Sequence, residues 1–190
     1  MSILLDIFGS IVIAGMLFML IIKLNLFSSQ TSYTSDNELK LIQNTKTLSE
    51  ILDYDLRKIG YRSDSTTKIT TAKIQEIEFY ADIDRSVSVD VIKYWVDPSP
   101  EAGYIILKRT INNSDTMSGP SLGLDSIKFS YLTASQNIMT YTNAFNYPDS
   151  IRYIKTEMWV QSTYAVKDAF SNDSTFSKTY WEFTINPRNL

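Results

Sequence analysis

The chain has 190 residues, enough for one modest domain plus an anchor but hardly for two domains. Its formal net charge is −3 with Lys and Arg scattered, so no basic field addresses nucleic acid. Cysteine and histidine are both absent, which excludes disulfides and thiolate metal sites and removes the commonest general base and the favoured zinc ligand.

From Ile3 to Ile22 every residue except Asp6 is apolar or small, roughly the 20 residues a helix needs to cross a bilayer core. A cleaved signal peptide would carry a basic stretch before the apolar run and a small-x-small cleavage site after it. Here Asp6 stands where positive charge would be, and Lys23-Leu24-Asn25-Leu26-Phe27 offers no such site. Residues 1–27 therefore read as a retained hydrophobic anchor. Asp6 has two readings: it lies at the interface and favours the positive helix N-terminus, or it pairs with the α-amino group of its own or a neighbouring chain. Gly9, Ser10, Ala14 and Gly15 notch the helix and permit close approach of another helix, though not in a strict small-xxx-small register. Lys23 follows the span with nothing basic before it, so the positive-inside rule taken alone favours a cytoplasmic head.

Ser28 to Asp36 is polar and aperiodic and reads as a break. Asp36 or Asn37 is then the expected N-cap of a second helix reaching about Ile59. Leu41, Leu48, Leu52, Leu56 and Ile59 form its apolar face with Ile51 beside them, and Gly60 follows as the residue that ends it. Residues 28–60 are thus read as linker plus amphipathic helix, and 61–190 as a strand-rich head.

Beyond Gly60 the period changes to two. The 12 Tyr, 9 Phe and 3 Trp, most of them after residue 50, suit pleated, half-buried surfaces. Ile77, Phe79 and Ala81 alternate with polar neighbours, and Asp82 to Arg85 reads as a turn. Val87, Val89 and Val91 resume the alternation, which then shifts to Ile92, Tyr94 and Val96, suggesting a bulge near Val91. Asp97-Pro98-Ser99-Pro100 is a turn, Tyr104 to Arg109 a strand, and Thr110 to Leu124 a surface loop. Ile127, Phe129 and Tyr131 mark another strand, Thr133 to Pro148 another loop, and Ile151 to Tyr164 a long strand. A loop from Val166 to Thr175 and a last strand from Phe176 to Ile185 complete the chain. About six antiparallel strands with segregated helices make an α+β fold, the amphipathic helix packed on the sheet.

Candidate chemistry is sparse. Asp82 and Asp84 flank a turn and offer oxygen ligands of the kind calcium takes, but no Asp-x-Asp-x-Asp-Gly loop exists, so solvated turn carboxylates are the preferred reading. Serine has no histidine or Ser-x-x-Lys phrase to activate it, and no Gly-rich phosphate loop occurs. Asn112-Asn113-Ser114 and Asn172-Asp173-Ser174 match glycosylation sequons, a short pattern that arises often by chance. Trp95, Trp159 and Trp181 fall within expected strands and read as core or interface. No catalytic residue and no cofactor are expected.

The order of elements and several local phrases resemble the type IV pilin-like superfamily, and within it minor pilins and minor pseudopilins. Ile3-Leu4-Leu5-Asp6 resembles the family's anchor with its early acidic residue, which becomes the fifth residue if Met1 is removed. Leu52-Asp53-Tyr54-Asp55-Leu56-Arg57-Lys58-Ile59-Gly60-Tyr61-Arg62 resembles its helix end. Ile77 to Asp82, Val91 to Val96 and Ile106 to Arg109 resemble its first strands. Ile127 to Leu132, Ser150 to Val160 and Pro187 to Leu190 resemble the later segments of the family's head. The chain departs from the family in carrying Asp where glutamate is usual, in lacking the mid-helix proline, and in having no basic leader before the anchor.

The resemblance implies a structural subunit of a type IV pilus-like filament or type II secretion pseudopilus, assembling through its N-terminal helix. Its partners would be other pilin-like subunits, with membrane lipid around the helix before assembly and no nucleic acid. It would be a single-pass protein with its head outside the cytoplasm. The assembly residues would be Asp6, Gly9, Ser10, Ala14 and Gly15. A different expectation is a membrane-tethered binding domain whose anchor is only a tether.

Overall fold

In the computed structural model one helix, α1, runs unbroken from Ser2 to Arg57. The structure describes residues 2–86, 88–97, 105–118, 123–162, 165–167 and 174–190. Expectations that fall on Met1, Val87, Pro98-Ser99-Pro100, Tyr104, Tyr164 and the Asn172-Asp173 sequon lie outside the described residues.

The break expected at Ser28–Asp36 is not there, and Asn37 is a buried residue within the helix rather than its cap. No glycine or proline interrupts the stretch. The hydroxyls that suggested a loop instead bond back along the helix, Thr31 Oγ1 to Phe27 O and Thr34 Oγ1 to Gln30 O, each at 2.9 Å. Extending a helix costs far less than nucleating one, so two strong helical segments carry the polar stretch between them.

The second half of α1 buries the expected face. Leu41, Leu52 and Leu56 are buried with Asn37, Thr45 and Asp55, and Leu48 and Ile51 are half-buried. After Arg57 the turn tightens, with Lys58 N–H on Asp55 O at 3.0 Å and Ile59 N–H on Leu56 O at 3.3 Å. Gly60 then reverses the chain at φ +74°, and its N–H meets Tyr80 O at 2.8 Å. A left-handed conformation of this kind favours glycine.

The head holds ten strands among the described residues, against about six expected, and they form separate sheets rather than one. β1 (Ile69–Ala72), β2 (Glu76–Ala81), β3 (Asp90–Asp97), β4 (Ile106–Ile111) and β5 (Ser114–Ser118) make an antiparallel meander. β6 (Leu124–Leu132), β7 (Tyr153–Gln161) and β10 (Lys178–Ile185) make a second sheet in the order β10-β7-β6. Between β7 and β10, β8 (Val166–Lys167) and β9 (Ser174–Thr175) pair with each other. A short helix, α2 (Tyr141–Asn146), capped by Thr140, and a turn of 3₁₀ helix at Pro148–Ser150 occupy the loop expected at 133–148.

The alternation of Ile77, Phe79 and Ala81 is borne out, all three being buried on β2. The expected strand through Val89 is not, because β3 begins at Asp90 and buries Asp90, Ile92 and Tyr94 in one unbroken register against β2. Among the described residues no bulge occurs near Val91. The loop expected at 110–124 contains a tight hairpin instead. Asn112 and Asn113 adopt φ +52° and +61° between Ile111 and its partner Ser114, the left-handed pair that two-residue β-turns require.

The two larger sheets meet along β6. Phe129 N–H donates to Ile74 O at 2.8 Å, and the buried Tyr131 hydroxyl donates to Lys73 O at 3.0 Å. Burial of Tyr131 holds its hydroxyl protonated, its pKa well above the ordinary value. Phe79, Phe129 and Tyr131 fill the core with Leu52, Leu56 and Ile59 from the helix end.

Candidate functional site

Its unbroken 56 residues make α1 about 84 Å long at a rise of about 1.5 Å per residue. Only the second half touches the head. Among the described side chains of the first half, Ile3, Phe8, Ile11, Met16, Phe18, Met19 and Leu26 stand exposed. No part of the most apolar 18-residue window is covered by the rest of the chain, and its mean hydropathy is 2.4. This helix is long and apolar enough to cross a membrane.

The residues singled out in this segment do not all share one face. Asp6, Ser10 and Ala14 recur at four-residue spacing and stand one above another, with Gly9 beside them, whereas Gly15 falls on a different side. Asp6, Ser10, Ala14 and Gly15 are exposed and Gly9 is half-exposed. Ser10 Oγ is satisfied within the helix by Ile7 O at 2.8 Å. A methyl group added at Gly9 or Gly15 would meet nothing within 4 Å, so neither glycine is needed for packing on the head.

At the end of the other half three consecutive residues point three ways, and two of them, Asp55 and Leu56, lock the helix to the head. Leu56 enters the core. Arg57 turns outward, its Nε 2.7 Å from Asp53 Oδ2, and that hydrogen bond raises the Arg57 pKa. Asp55 turns inward, where its Oδ2 accepts from Arg109 Nε at 2.7 Å and from the Tyr94 hydroxyl. Tyr94 and Arg109 are direct partners across β3 and β4. Burial and the Asp55 charge push the Tyr94 pKa strongly upward, so it stays a donor. At Arg109 burial opposes the charge, but the hydrogen bond to Asp55 together with the charges of its neighbours outweighs it and the pKa is raised. This triad was not anticipated, although a signal existed: Asp55 interrupts the apolar face three residues after Leu52.

Elsewhere, Asp82 departs from the expectation of a solvated turn carboxylate, being buried, while Asp84 is exposed. One oxygen of each lies within 4.8 Å of an oxygen of the buried Asp90, a residue the sequence did not single out. Trp159 and Trp181 are partly exposed on the β7–β10 sheet, Trp159 stacking obliquely on Tyr180 with centroids 4.9 Å apart. Trp181 and Phe183 line an open groove with Glu50 and Tyr54 of α1 and Lys58 just after it. Trp95 is half-buried, with Lys108 Nζ 5.1 Å from its ring centroid.

No protein-family model and no curated protein sequence matches the chain. Among solved structures it is similar to a type IV-like pilin from Thermus thermophilus, with a TM-score of 0.51 and 11% sequence identity over 79% of this chain and 98% of that one. Identity at that level speaks for the fold alone. In this chain a long N-terminal helix, apolar in its first half and embedded in an antiparallel β head by its second, makes an α+β fold that is pilin-like.

Proposed function

We propose that this chain is a structural subunit of a type IV pilus-like filament or a type II secretion pseudopilus, joining other pilin-like subunits through the first half of α1. The observation that carries the reading is that one unbroken helix is embedded in the head by its second half and leaves a long apolar surface bare on its first. Water does not tolerate such a surface, and two environments can cover it in turn. Before assembly the helix lies in lipid as a single pass with the head outside the cytoplasm. In the filament, neighbouring helices replace the lipid, and packing of small residues supplies the contact. Asp6, with Gly9, Ser10 and Ala14 near it, then faces a neighbour and takes its α-amino group as counter-ion, while Gly15 serves a second neighbour on another side. The chain acts as a building element rather than as an enzyme.

Replacing Asp6 with Ala tests the reading in the native host. Filament yield should fall to background while the protein remains membrane-inserted and its head folded. Normal filament yield from the variant would sink the assembly role of Asp6. Exchanging residues 1–27 for an unrelated transmembrane helix should also abolish assembly, whereas a simple tether would tolerate the exchange.

A further inference from the structure

Three carboxylates converge where the loop between β2 and β3 leaves the sheet and rejoins it. Asp82 follows the last residue of β2, Asp84 lies two residues on, and Asp90 opens β3. One oxygen from each lies within 4.8 Å of the others. Three like charges at that spacing repel one another, the more so because two of them are shielded from water.

The surrounding groups give only partial relief. Arg62 Nη1 takes Asp82 Oδ2 at 3.0 Å. Asp90 accepts the Asn112 amide on Oδ1 at 2.8 Å and the Ile83 N–H on Oδ2 at 3.2 Å. Asp84 Oδ1 accepts the Ser86 N–H at 2.8 Å. Asp82 Oδ1 is left over: its side chain is only 3% exposed, and the oxygen has no hydrogen-bond partner. Buried polar atoms in folded proteins are nearly always satisfied, and an anionic oxygen is the costliest kind to leave bare. Water is shut out and the guanidinium is spent on the other oxygen.

We propose that Asp82, Asp84 and Asp90 form a site for a hard divalent cation of the calcium class, with the unpaired oxygen of Asp82 among its ligands. An all-oxygen donor set selects calcium or magnesium over the transition metals. Carboxylates drawn from an irregular loop suit the flexible, high-coordination shell of calcium better than the strict octahedron of magnesium, and backbone oxygens and water complete the shell. The ion would clamp the start of β3 to the end of β2. It would also brace the joint with α1, because Arg62 follows the Gly60 turn and Lys58 Nζ reaches Ile83 O at 3.2 Å within the same loop. The site stands independently of the assembly reading.

The full chain in detergent micelles, melted with about 10 mM calcium chloride and again in chelator, tests the site. Calcium should raise its Tm by roughly 5 °C, and titration calorimetry should give a Kd on the order of 10⁻⁴ to 10⁻³ M. Asp84→Asn keeps a carbonyl to accept from Ser86, so its Tm in chelator should match the parent while the calcium-dependent rise disappears. Asp82→Asn should lose the rise as well, and Asp149→Asn, remote in sequence from the loop, should retain it. Absence of any calcium-dependent heat or Tm change in the parent chain, or an undiminished rise in both the Asp82 and Asp84 variants, would overturn the proposal.

Discussion

Asp55 on α1 and Arg109 on β4 meet at 2.7 Å with side chains only 3% and 15% exposed, tying the helix to the five-stranded sheet by a charge pair. Removing one partner from such a pair strands the other in a poorly solvated place, which costs about 3–5 kcal/mol. Asp55→Ala should therefore destabilise the head by that amount in urea unfolding of the full chain in detergent. Tyr94→Phe removes one neutral donor to the same carboxylate and should cost only about 1–2 kcal/mol. Equal losses from the two variants would show that the ion pair is not what holds the helix.

Gly60 makes a second, purely steric demand on the same joint. Its φ of +74° disfavours any side chain, and a Cβ there would lie 2.7 Å from the backbone oxygen of Asn189. Gly60→Ala should cost more than the roughly 1 kcal/mol of an ordinary left-handed position, because the C-terminal segment must also move. The urea midpoint measures it, and Gly9→Ala, where the added methyl meets nothing, is the control.

These two positions also show how far the sequence could be read. Gly60 and the Leu41–Leu52–Leu56 stripe follow from helix periodicity and helix-ending chemistry, which are local, and the structure bears them out. Partition into separate sheets was not legible, because β6 pairs with β7 and β7 with β10 across long connections that no local pattern encodes. The Asn112-Asn113 turn is not distinguishable from a surface loop by composition, because asparagine suits both, and only the pairing of β4 with β5 makes it a hairpin. Asp82 and Asp90 stand eight positions apart, and only the closure of the β2–β3 loop brings their carboxylates together.

Glu76 carries a pH dependence. Partial burial works to raise its pKa, but hydrogen bonds from Lys73 and Lys93, at 2.7 and 2.9 Å, prevail and hold it below the ordinary 4.5. A depressed carboxylate contributes stability at neutral pH that is lost as the pH falls from 4.5 through the lower folded value. Urea midpoints should thus be flat near neutrality and decline below about pH 4.5, with Glu76→Gln showing a shallower decline. The difference should shrink in high salt, since the lysines are partly exposed and screened. An unchanged acid limb in the variant would remove Glu76 from the account.

Continuity of α1 through the polar stretch 28–36 is the feature on which the proposed assembly depends, because a hinge there would uncouple the head from the bare apolar half. The stretch has no proline or glycine, and Thr31 and Thr34 bond to carbonyls four residues back, so bending would give up satisfied groups without relieving any strain. A helix advances about 1.5 Å per residue, which places the backbones of Asn25 and Lys40 about 22 Å apart. Both side chains are exposed, and the chain has no cysteine, so Asn25→Cys/Lys40→Cys accepts spin labels at those two positions alone. Electron–electron distance measurement in detergent should return one narrow distribution near that spacing, widened by the label arms. Replacing Ser32 with Pro, which removes a helical N–H and clashes with the turn before it, should broaden or shift the distribution and reduce filament yield together. A broad distribution in the parent pair would mean that the polar stretch is a hinge after all.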